Sequence, residues 1–593
     1  MQCRLHRTTL FTASLVAIAT LAGCKSSPQS AHEAPAAANG NQEAVALDRV
    51  EVTGSRIRRA TLQQQERAGA AAKSSAAYAP SAPPPAPLAV SGNYATDGHA
   101  AYTRIAPAQA QPEPANTEKY ADRTDNPVHR TSEQPVSTFS IDVDTGSYSN
   151  VRRMLRQGVR PPADSVRAEE FINYFNYGHP APTSRNVPFR VTTELAAAPW
   201  NTRRQLLMIG IKGYDVPKAT LPASNLVFLL DTSGSMDSPD KLPLLKQAFS
   251  MLVPQLRAQD RVSIVVYAGS AGLVLPPTPG DRHEEILAAL DRLQAGGSTN
   301  GGDGIQLAYA MAKKSYLAGG VNRVILATDG DFNVGTVSQE ALETLVGDQR
   351  KSGIALTTLG FGQGNYNDAV AERLADVGDG NHAYIDTPQE ARKVLVDEMQ
   401  STLMTIARDV KIQIEFNPAL VSEYRLIGYE NRLLAREDFA NDRVDAGDIG
   451  AGHEVTALYE VTPAGSGADR LPALRYGKQK TPAAIGGELA HLRLRYKLPG
   501  VAASRLIETP VLASSLAPRP SQSFRFASAV AAYADLLRGG IHVEAWNWND
   551  VGNAARNAEG DDHYGLRREL VELVSQARRL ADAADRKPAI AGE

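Results

Sequence analysis

The chain has 593 residues, of which 43% are hydrophobic and 21% are charged, and its formal net charge is −3. This apolar content suffices for several packed domains, since one domain typically takes roughly 100–200 residues. The near-neutral charge leaves no overall basic excess, which argues against a nucleic-acid partner and for a protein, a peptide or a small ligand.

Residues 1–24 have the order of a secretory signal peptide. A basic start at 4–7 is followed by an apolar run at 10–19, and the segment ends in Leu21-Ala-Gly-Cys24. The apolar run is too short for a spanning helix, which needs about 20 residues. Its end resembles the lipobox of bacterial lipoproteins, and this resemblance implies cleavage before Cys24 and lipidation of its thiol. The alternative is an uncleaved anchor with an incidental cysteine.

Lys25 follows this cysteine, and by the same resemblance a residue other than Asp at that place implies sorting to the outer membrane. We therefore expect a lipid-anchored protein of the cell envelope that faces the periplasm. Cys3 is the only other cysteine and leaves with the signal segment, so no disulfide is expected in the mature chain.

Residues 25–135 are rich in Ala, Pro, Ser, Gln and Gly and show no sustained helical or strand period. This composition predicts a disordered tether that holds a folded body away from the lipid surface. Within it, residues 47–58 resemble the opening of the plug region in TonB-dependent receptors. The alternative interpretation of that segment is a polar tether with incidental β-propensity.

Residues 136–221 are predicted to form a helical extension followed by strands. Helices are expected at 147–157 and 166–176, and strands at 188–195 and 204–211. The stretch from Asp142 to Ser147 looks superficially like a calcium loop. It lacks the closing acid of such a loop, so its side chains are expected to cap the following helix instead.

Between 222 and 408, continuous apolar runs alternate with amphipathic stretches, which predicts a doubly wound α/β fold with a mostly parallel sheet. The expected strands lie at 225–230, 262–267, 273–275, 323–328, 354–360 and 382–386. The expected helices lie at 240–257, 281–294, 303–318, 338–352, 367–376 and 388–405.

After this region, strict alternation of apolar and polar residues returns at 410–416 and 492–498. Such alternation is typical of antiparallel strands with one wet face. The α/β region is therefore predicted to be inserted into a β-sandwich, whose second part covers 409–500. Residues 501–593 are predicted to be a helical tail with helices at about 523–538 and 563–583.

Three clusters of oxygen-bearing side chains follow strands or loops of the α/β region: Asp231, Ser233 and Ser235; Thr299; and Asp329. Ligands of α/β folds bind at the carboxyl ends of parallel strands, so these side chains are expected to converge. The pattern resembles the metal-ion-dependent adhesion site (MIDAS) of von Willebrand factor type A (VWA) domains. More broadly, residues 135–585 resemble bacterial lipoproteins that carry such a domain.

The resemblance implies that these five residues hold Mg²⁺, or alternatively Mn²⁺ or Ca²⁺, in a shell of oxygen ligands. In that family the two Asp residues often act through bound waters, so the ion keeps its attraction for an Asp or Glu carboxylate of a protein partner. Asp237 and Asp331 are expected to support this shell by hydrogen bonds.

From these features we expect an envelope-tethered, metal-dependent protein-binding module for adhesion or scaffolding. One alternative is a structural envelope scaffold in which the metal is incidental, and the other is a metal-assisted hydrolase. The sequence contains no His-Glu-x-x-His, no Gly-x-Ser-x-Gly and no phosphate loop, so no enzymatic activity is expected.

Overall fold

The computed structural model describes residues 118–122, 124–184, 186–330, 338–364, 367–472 and 487–585. Cys24, the whole predicted signal segment, residues 47–58 and Asp331 lie outside these ranges. The contacts divide the chain into two units, Met1–Pro107 and Ala108–Glu593, and all described residues belong to the second. No helix among the described residues is both long enough and apolar enough to cross a membrane.

The strands of the described residues are β1 (His129–Arg130), β2 (Val136–Ser140), β3 (Phe189–Ala198), β4 (Asn201–Gly213), β5 (Ser224–Asp231), β6 (Arg261–Tyr267), β7 (Ala271–Pro279), β8 (Val321–Thr328), β9 (Ala355–Phe361), β10 (His382–Ile385), β11 (Thr405–Phe416), β12 (Val421–Ile427), β13 (Ile449–Gly450), β14 (Glu454–Pro463), β15 (Glu488–Lys497) and β16 (Ser504–Leu512). The α-helices are α1 (Gly146–Arg156), α2 (Ala168–Asn173), α3 (Leu242–Leu252), α4 (His283–Asp291), α5 (Gly301–Lys314), α6 (Gln339–Lys351), α7 (Asp368–Val377), α8 (Pro388–Arg392), α9 (Met399–Leu403), α10 (Gln522–Arg538), α11 (Trp548–Asn557) and α12 (Leu566–Asp585).

The central sheet has the strand order β10-β9-β8-β5-β6-β7, and β7 alone runs antiparallel to its neighbour. In β5, Leu226 and Phe228 face a core formed with α3 and α4, whereas Val227 and Leu229 face a core formed with α5 and α6. A strand covered on both faces requires an unbroken apolar run, which explains the sequence of β5. The predicted doubly wound fold is confirmed.

Two antiparallel sheets form a sandwich next to this domain. One has the order β1-β12-β14-β4-β3, and the other has the order β13-β11-β15-β16 with β2 paired to β11. Ile209 and Ile211 of β4 share a buried core with Ile412 and Ile414 of β11. Because β4 precedes and β11 follows the central domain in the chain, the central domain is inserted into the sandwich.

The first sheet of the sandwich is covered on its other face by helices α1, α2, α10, α11 and α12. Leu206 and Met208 of β4 point into this second core, together with Phe526 and Tyr533 of α10. The run of apolar residues in β4 therefore faces a core on each side. Packing against helices explains why this antiparallel strand lacks the alternation of β11.

Several boundaries differ from those expected from the sequence. The predicted tether 25–135 ends earlier, because β1 pairs with β12 and Asn126 Nδ2 donates to Gly428 O at 2.6 Å. Residues 504–512 form β16, paired with β15, and so the helical tail begins at α10 and not at 501. The helix expected at 388–405 is divided into α8, a π-helical turn and α9.

Ion pairs of two arginines join the central domain to the rest of the folded body. Arg167, at the start of α2, forms ion pairs with Asp368 of α7 and with Glu170 of its own helix. Arg432 donates to Asp142 at 3.1 Å and to Asp376 at 2.8 Å. The acids of the calcium-like segment therefore bind an arginine. The expected capping is wrong, because Thr145 at the start of α1 makes no side-chain cap.

Substitution of Arg167 by Met should destabilise the protein by about 3–5 kcal/mol, because the buried carboxylates of Asp368 and Glu170 would lose the guanidinium that pairs with both. The measurement is the free energy of unfolding in urea. Arg443→Met is the matched control, since Arg443 is exposed, and its effect should stay below about 0.5 kcal/mol. Equal stabilities of the two variants would contradict this assignment.

Candidate metal site at the carboxyl edge of the central sheet

The first part of the site is the turn that follows β5. Asp231 is the last residue of β5 and is fully buried. The backbone N–H of Ser233 donates to Asp231 Oδ1 at 2.8 Å, and a 3-10 turn, Gly234–Asp237, follows directly. This turn places the hydroxyls of Ser233 and Ser235 3.1 Å apart. The sequence Asp-x-Ser-x-Ser therefore folds so that its oxygens gather above the end of a buried strand.

The loop that carries Thr299 is bonded to this turn by its backbone. Gly234 N donates to Gly297 O at 3.0 Å, and Gly296 N donates to Thr232 O at 2.8 Å. Glycine at 234 permits this approach, because a Cβ there would lie 3.3 Å from Gly297 O. Thr299 is half-buried in this loop, just before α5 begins. The second cluster thus lies beside the first, as the sequence predicts.

Asp329 follows β8, the parallel neighbour of β5. The hydroxyl of Thr328 donates to Asp231 Oδ2 at 3.5 Å, and Gly330 N donates to Thr328 Oγ1 at 3.1 Å. Asp329 is fully buried, like Asp231. Two carboxylates therefore lie at neighbouring strand ends below the hydroxyls of the turn.

Burial shapes the electrostatics of these acids. It raises the pKa of Asp231 to about 6, and the charge of Asp329 adds to this shift, while hydrogen bonds from Ser233 oppose it. Burial, followed by the charge of Asp231, also raises the pKa of the Tyr267 hydroxyl well above its usual value. Both shifts indicate a poorly solvated region of negative charge, which favours a bound cation.

The two predicted supporting acids have different outcomes. Asp237 ends the 3-10 turn and is exposed, and no hydrogen bond from its side chain to the five predicted ligands is found among the described residues. Asp331 lies outside the described residues. The supporting role of both residues stays a prediction.

Lys241 is a part of the site that the sequence reasoning missed. Its Nζ donates to Asp329 Oδ2 at 2.8 Å, and the residue is buried. It stands directly before α3, where the helix dipole disfavours a positive charge. That unfavourable position was the available signal, because a lysine there requires a negative partner from elsewhere in the fold.

The donor set fits a hard divalent cation. Carboxylates and hydroxyls are the oxygen ligands that Mg²⁺ binds, and ligands in an octahedron around it lie about 2.9 Å from their neighbours. The separation of 3.1 Å between the hydroxyls of Ser233 and Ser235 is close to this value. The two hydroxyls, which share a hydrogen bond, are therefore spaced as two adjacent ligands of one ion would be.

One other group in the described part of the chain has side chains close enough for a metal, namely Asp125, Asp535 and His542. Arg538 forms an ion pair with Asp125, and Arg470 Nη1 lies 3.2 Å from His542 Nδ1. These guanidinium groups supply the positive charge that a metal ion would otherwise bring. This cluster is accordingly a set of ion pairs.

Asp231→Asn should raise the stability of the metal-free protein at pH 7 by about 1–3 kcal/mol, because it removes a buried charge and keeps the acceptor for Ser233 N. Since the pKa of Asp231 is raised, the carboxylate of the folded wild type takes up a proton as the pH falls through about 6. The difference in stability between the variant and the wild type should therefore be smaller at pH 5 than at pH 7. Thermal unfolding in EDTA at both pH values measures this difference. Asp281→Asn, at an exposed residue, is the control.

Comparisons with known proteins place this chain in a family. Three family profiles match the chain: "von Willebrand factor" at residues 114–208, "von Willebrand factor type A domain" at 225–398, and "Uncharacterized protein YfbK, C-terminal" at 401–580. Two solved structures, a von Willebrand factor type A protein from Catenulispora acidiphila and the ArnB paralog VWA2 from Sulfolobus acidocaldarius, are 16% and 14% identical, with TM-scores of 0.37 and 0.33. Each covers 66% of this chain, and the matches span 91% and 98% of those structures.

Among sequence relatives, a section of inter-alpha-trypsin inhibitor heavy chain H4 of Homo sapiens is 29% identical over 26% of this chain and 17% of its own length. Such VWA-domain homologues suggest a protein-interaction module. YfbK of Escherichia coli is 48% identical over 474 residues, which is 79% of this chain and 82% of YfbK. Because that match spans most of both sequences, the chain belongs to the YfbK-like family of bacterial proteins that contain a VWA domain.

Proposed function

We propose that this protein is a cell-envelope-tethered module that binds a protein partner through a divalent metal ion at the carboxyl edge of its central sheet. The observation that carries this proposal is the pair of hydroxyls of Ser233 and Ser235, 3.1 Å apart at the end of the strand that carries the buried Asp231. The ion is Mg²⁺, or alternatively Mn²⁺ or Ca²⁺, and the partner offers an Asp or Glu carboxylate. The action proposed for the site is adhesion or scaffolding.

The hydroxyls and the carboxylates of the site differ in charge and in exposure, and different roles are proposed for them. Ser235 is exposed and Thr299 is half-buried, so these hydroxyls lie at the rim where a partner approaches. Asp231 and Asp329 lie beneath, out of contact with solvent, and supply the negative charge that retains an ion. When bound, the ion supplies a positive charge with affinity for one further oxygen ligand. A carboxylate is the protein group best suited to that place.

The site is proposed to bind a partner and not to catalyse a reaction. Asp231 Oδ1 accepts a hydrogen bond from Ser233 N, and Asp329 Oδ2 accepts one from Lys241. Each carboxylate is thereby held in place by a donor from the protein itself. Such carboxylates are suited to holding charge, whereas a general base needs a free oxygen within reach of a substrate proton.

The tethering part of the proposal rests on the sequence from Leu21 to Lys25. Lipidation of Cys24 would attach the chain to the envelope, with outer-membrane sorting that leaves the folded body in the periplasm. The site would then meet partners among other envelope proteins. No role for nucleic acid is proposed, since the net charge of −3 offers no general attraction to phosphate.

Partner binding is tested by affinity capture from envelope extracts with and without EDTA. The wild type should retain a set of proteins that is lost with EDTA and lost equally in Asp231→Ala. The matched control is Asp281→Ala, which removes an exposed carboxylate of the same domain and should retain the full set. A set of partners unchanged by EDTA and by Asp231→Ala would instead support a structural scaffold in which the metal is incidental.

Lipid attachment has its own test. Cys24→Ser should abolish incorporation of radiolabelled palmitate, because the acylated thiol would be absent. Cys3→Ser, within the predicted signal segment, is the matched control and should leave labelling intact. Persistent labelling of Cys24→Ser would show that the lipobox resemblance is misleading.

A further inference from the structure

Lys241 brings a positive charge into the proposed metal site. Its Nζ lies 2.8 Å from Asp329 Oδ2, and only 8% of its side chain is exposed, against none for Asp329. Surface ion pairs are screened by water, but a pair this well buried is not. Any ion that enters the site therefore meets the charge of Lys241 at short range.

The fold holds this lysine in place. Lys241 N donates to Ser238 O at 3.0 Å, and Lys241 O accepts from Leu245 N at 2.8 Å, which anchors the residue to the first turn of α3. Its aliphatic stem crosses Gly362, where a Cβ would overlap Lys241 Cγ. Gly362 has φ +71°, a conformation that favours glycine. The backbone hydrogen bonds of Lys241 and the space left by Gly362 thus both hold the side chain of Lys241 in this position.

We propose that Lys241 makes metal binding depend on the acidic ligand: it weakens binding of the ion alone and strengthens binding of a carboxylate to the site that holds the ion. This inference rests on the proposed function of the same site. Asp231, Asp329 and Lys241 together carry one net negative charge. A divalent ion turns this into one net positive charge, which a carboxylate then neutralises.

Without Lys241 the charge balance would be different. The two carboxylates alone would be neutralised by the ion, and a carboxylate ligand would then leave the buried site with a net negative charge. Lys241 therefore shifts the favoured state from the site with an ion alone to the site with an ion and an acid. By thermodynamic linkage, a ligand that tightens the ion is itself tightened by the ion to the same extent.

The test is calorimetric titration of Mg²⁺ into the full chain, with and without acetate as the carboxylate probe. Lys241→Gln keeps a donor for Asp329 and removes the charge, and Lys241→Met keeps only the length of the stem. Both variants should bind Mg²⁺ about tenfold more tightly than the wild type without acetate, and should gain less from acetate. Lys246→Met is the matched control on the same helix, because Lys246 Nζ donates to Asp291 O in an exposed contact.

The outcomes separate this inference from the proposed function. Unchanged or weaker Mg²⁺ binding in Lys241→Gln, with binding still lost in Asp231→Ala, would overturn the role of Lys241 and leave the metal site standing. Absence of uptake in the wild type and in both Lys241 variants would overturn both proposals. Thermal unfolding in EDTA checks the fold, and loss of folding in both variants would also overturn the inference, because it would assign Lys241 to structure alone.

Discussion

The burial of two carboxylates at the ends of neighbouring parallel strands is the constraint on which the rest of the site depends. Asp231 and Asp329 are both withdrawn from solvent because β5 and β8 lie in the middle of a sheet covered on both faces. Buried charge is costly unless it is compensated. Around these acids the fold therefore supplies donors: the backbone N–H of Ser233, the hydroxyl of Thr328 and the ammonium of Lys241. These donors compensate part of the negative charge, and a bound cation is proposed to compensate the rest.

Residues of the N-terminal extension contact this edge of the central sheet. After β9, the loop at 362–364 contacts both the site and the N-terminal extension. Gly362 makes room for the stem of Lys241, while Gln363 Oε1 accepts a hydrogen bond from Gln157 Nε2 at 2.6 Å. Gly364 N donates to Glu118 Oε1 at 3.0 Å. The residues that precede β1 thus help to fix a loop that borders the candidate metal site.

The central sheet could be predicted from the sequence because strands buried on both faces must be continuously apolar. The sequences of β5 and β8 contain such apolar runs. Sequence reasoning also placed the insertion correctly, since the alternation in β11 differs from those runs. It missed β16, whose Pro510 and irregular pattern suit an edge strand that pairs on one side only. It missed α11 because a short helix rich in Asn has little propensity signal and forms through packing on α10 and α12.

Local sequence also predicts only part of the candidate site. Asp231, Ser233 and Ser235 are adjacent in sequence, so their gathering follows from one local turn, and Asp329 follows from the order of strands. Lys241 reaches the site through its ion pair with Asp329, which lies 88 residues further along the chain. The position of Lys241 before α3 indicates only that it needs a negative partner, and the sequence does not show that this partner is Asp329. An Asp-x-Ser-x-Ser turn with a buried lysine beside it is therefore electrostatically distinct from the same turn without one, and motif matching cannot tell the two apart.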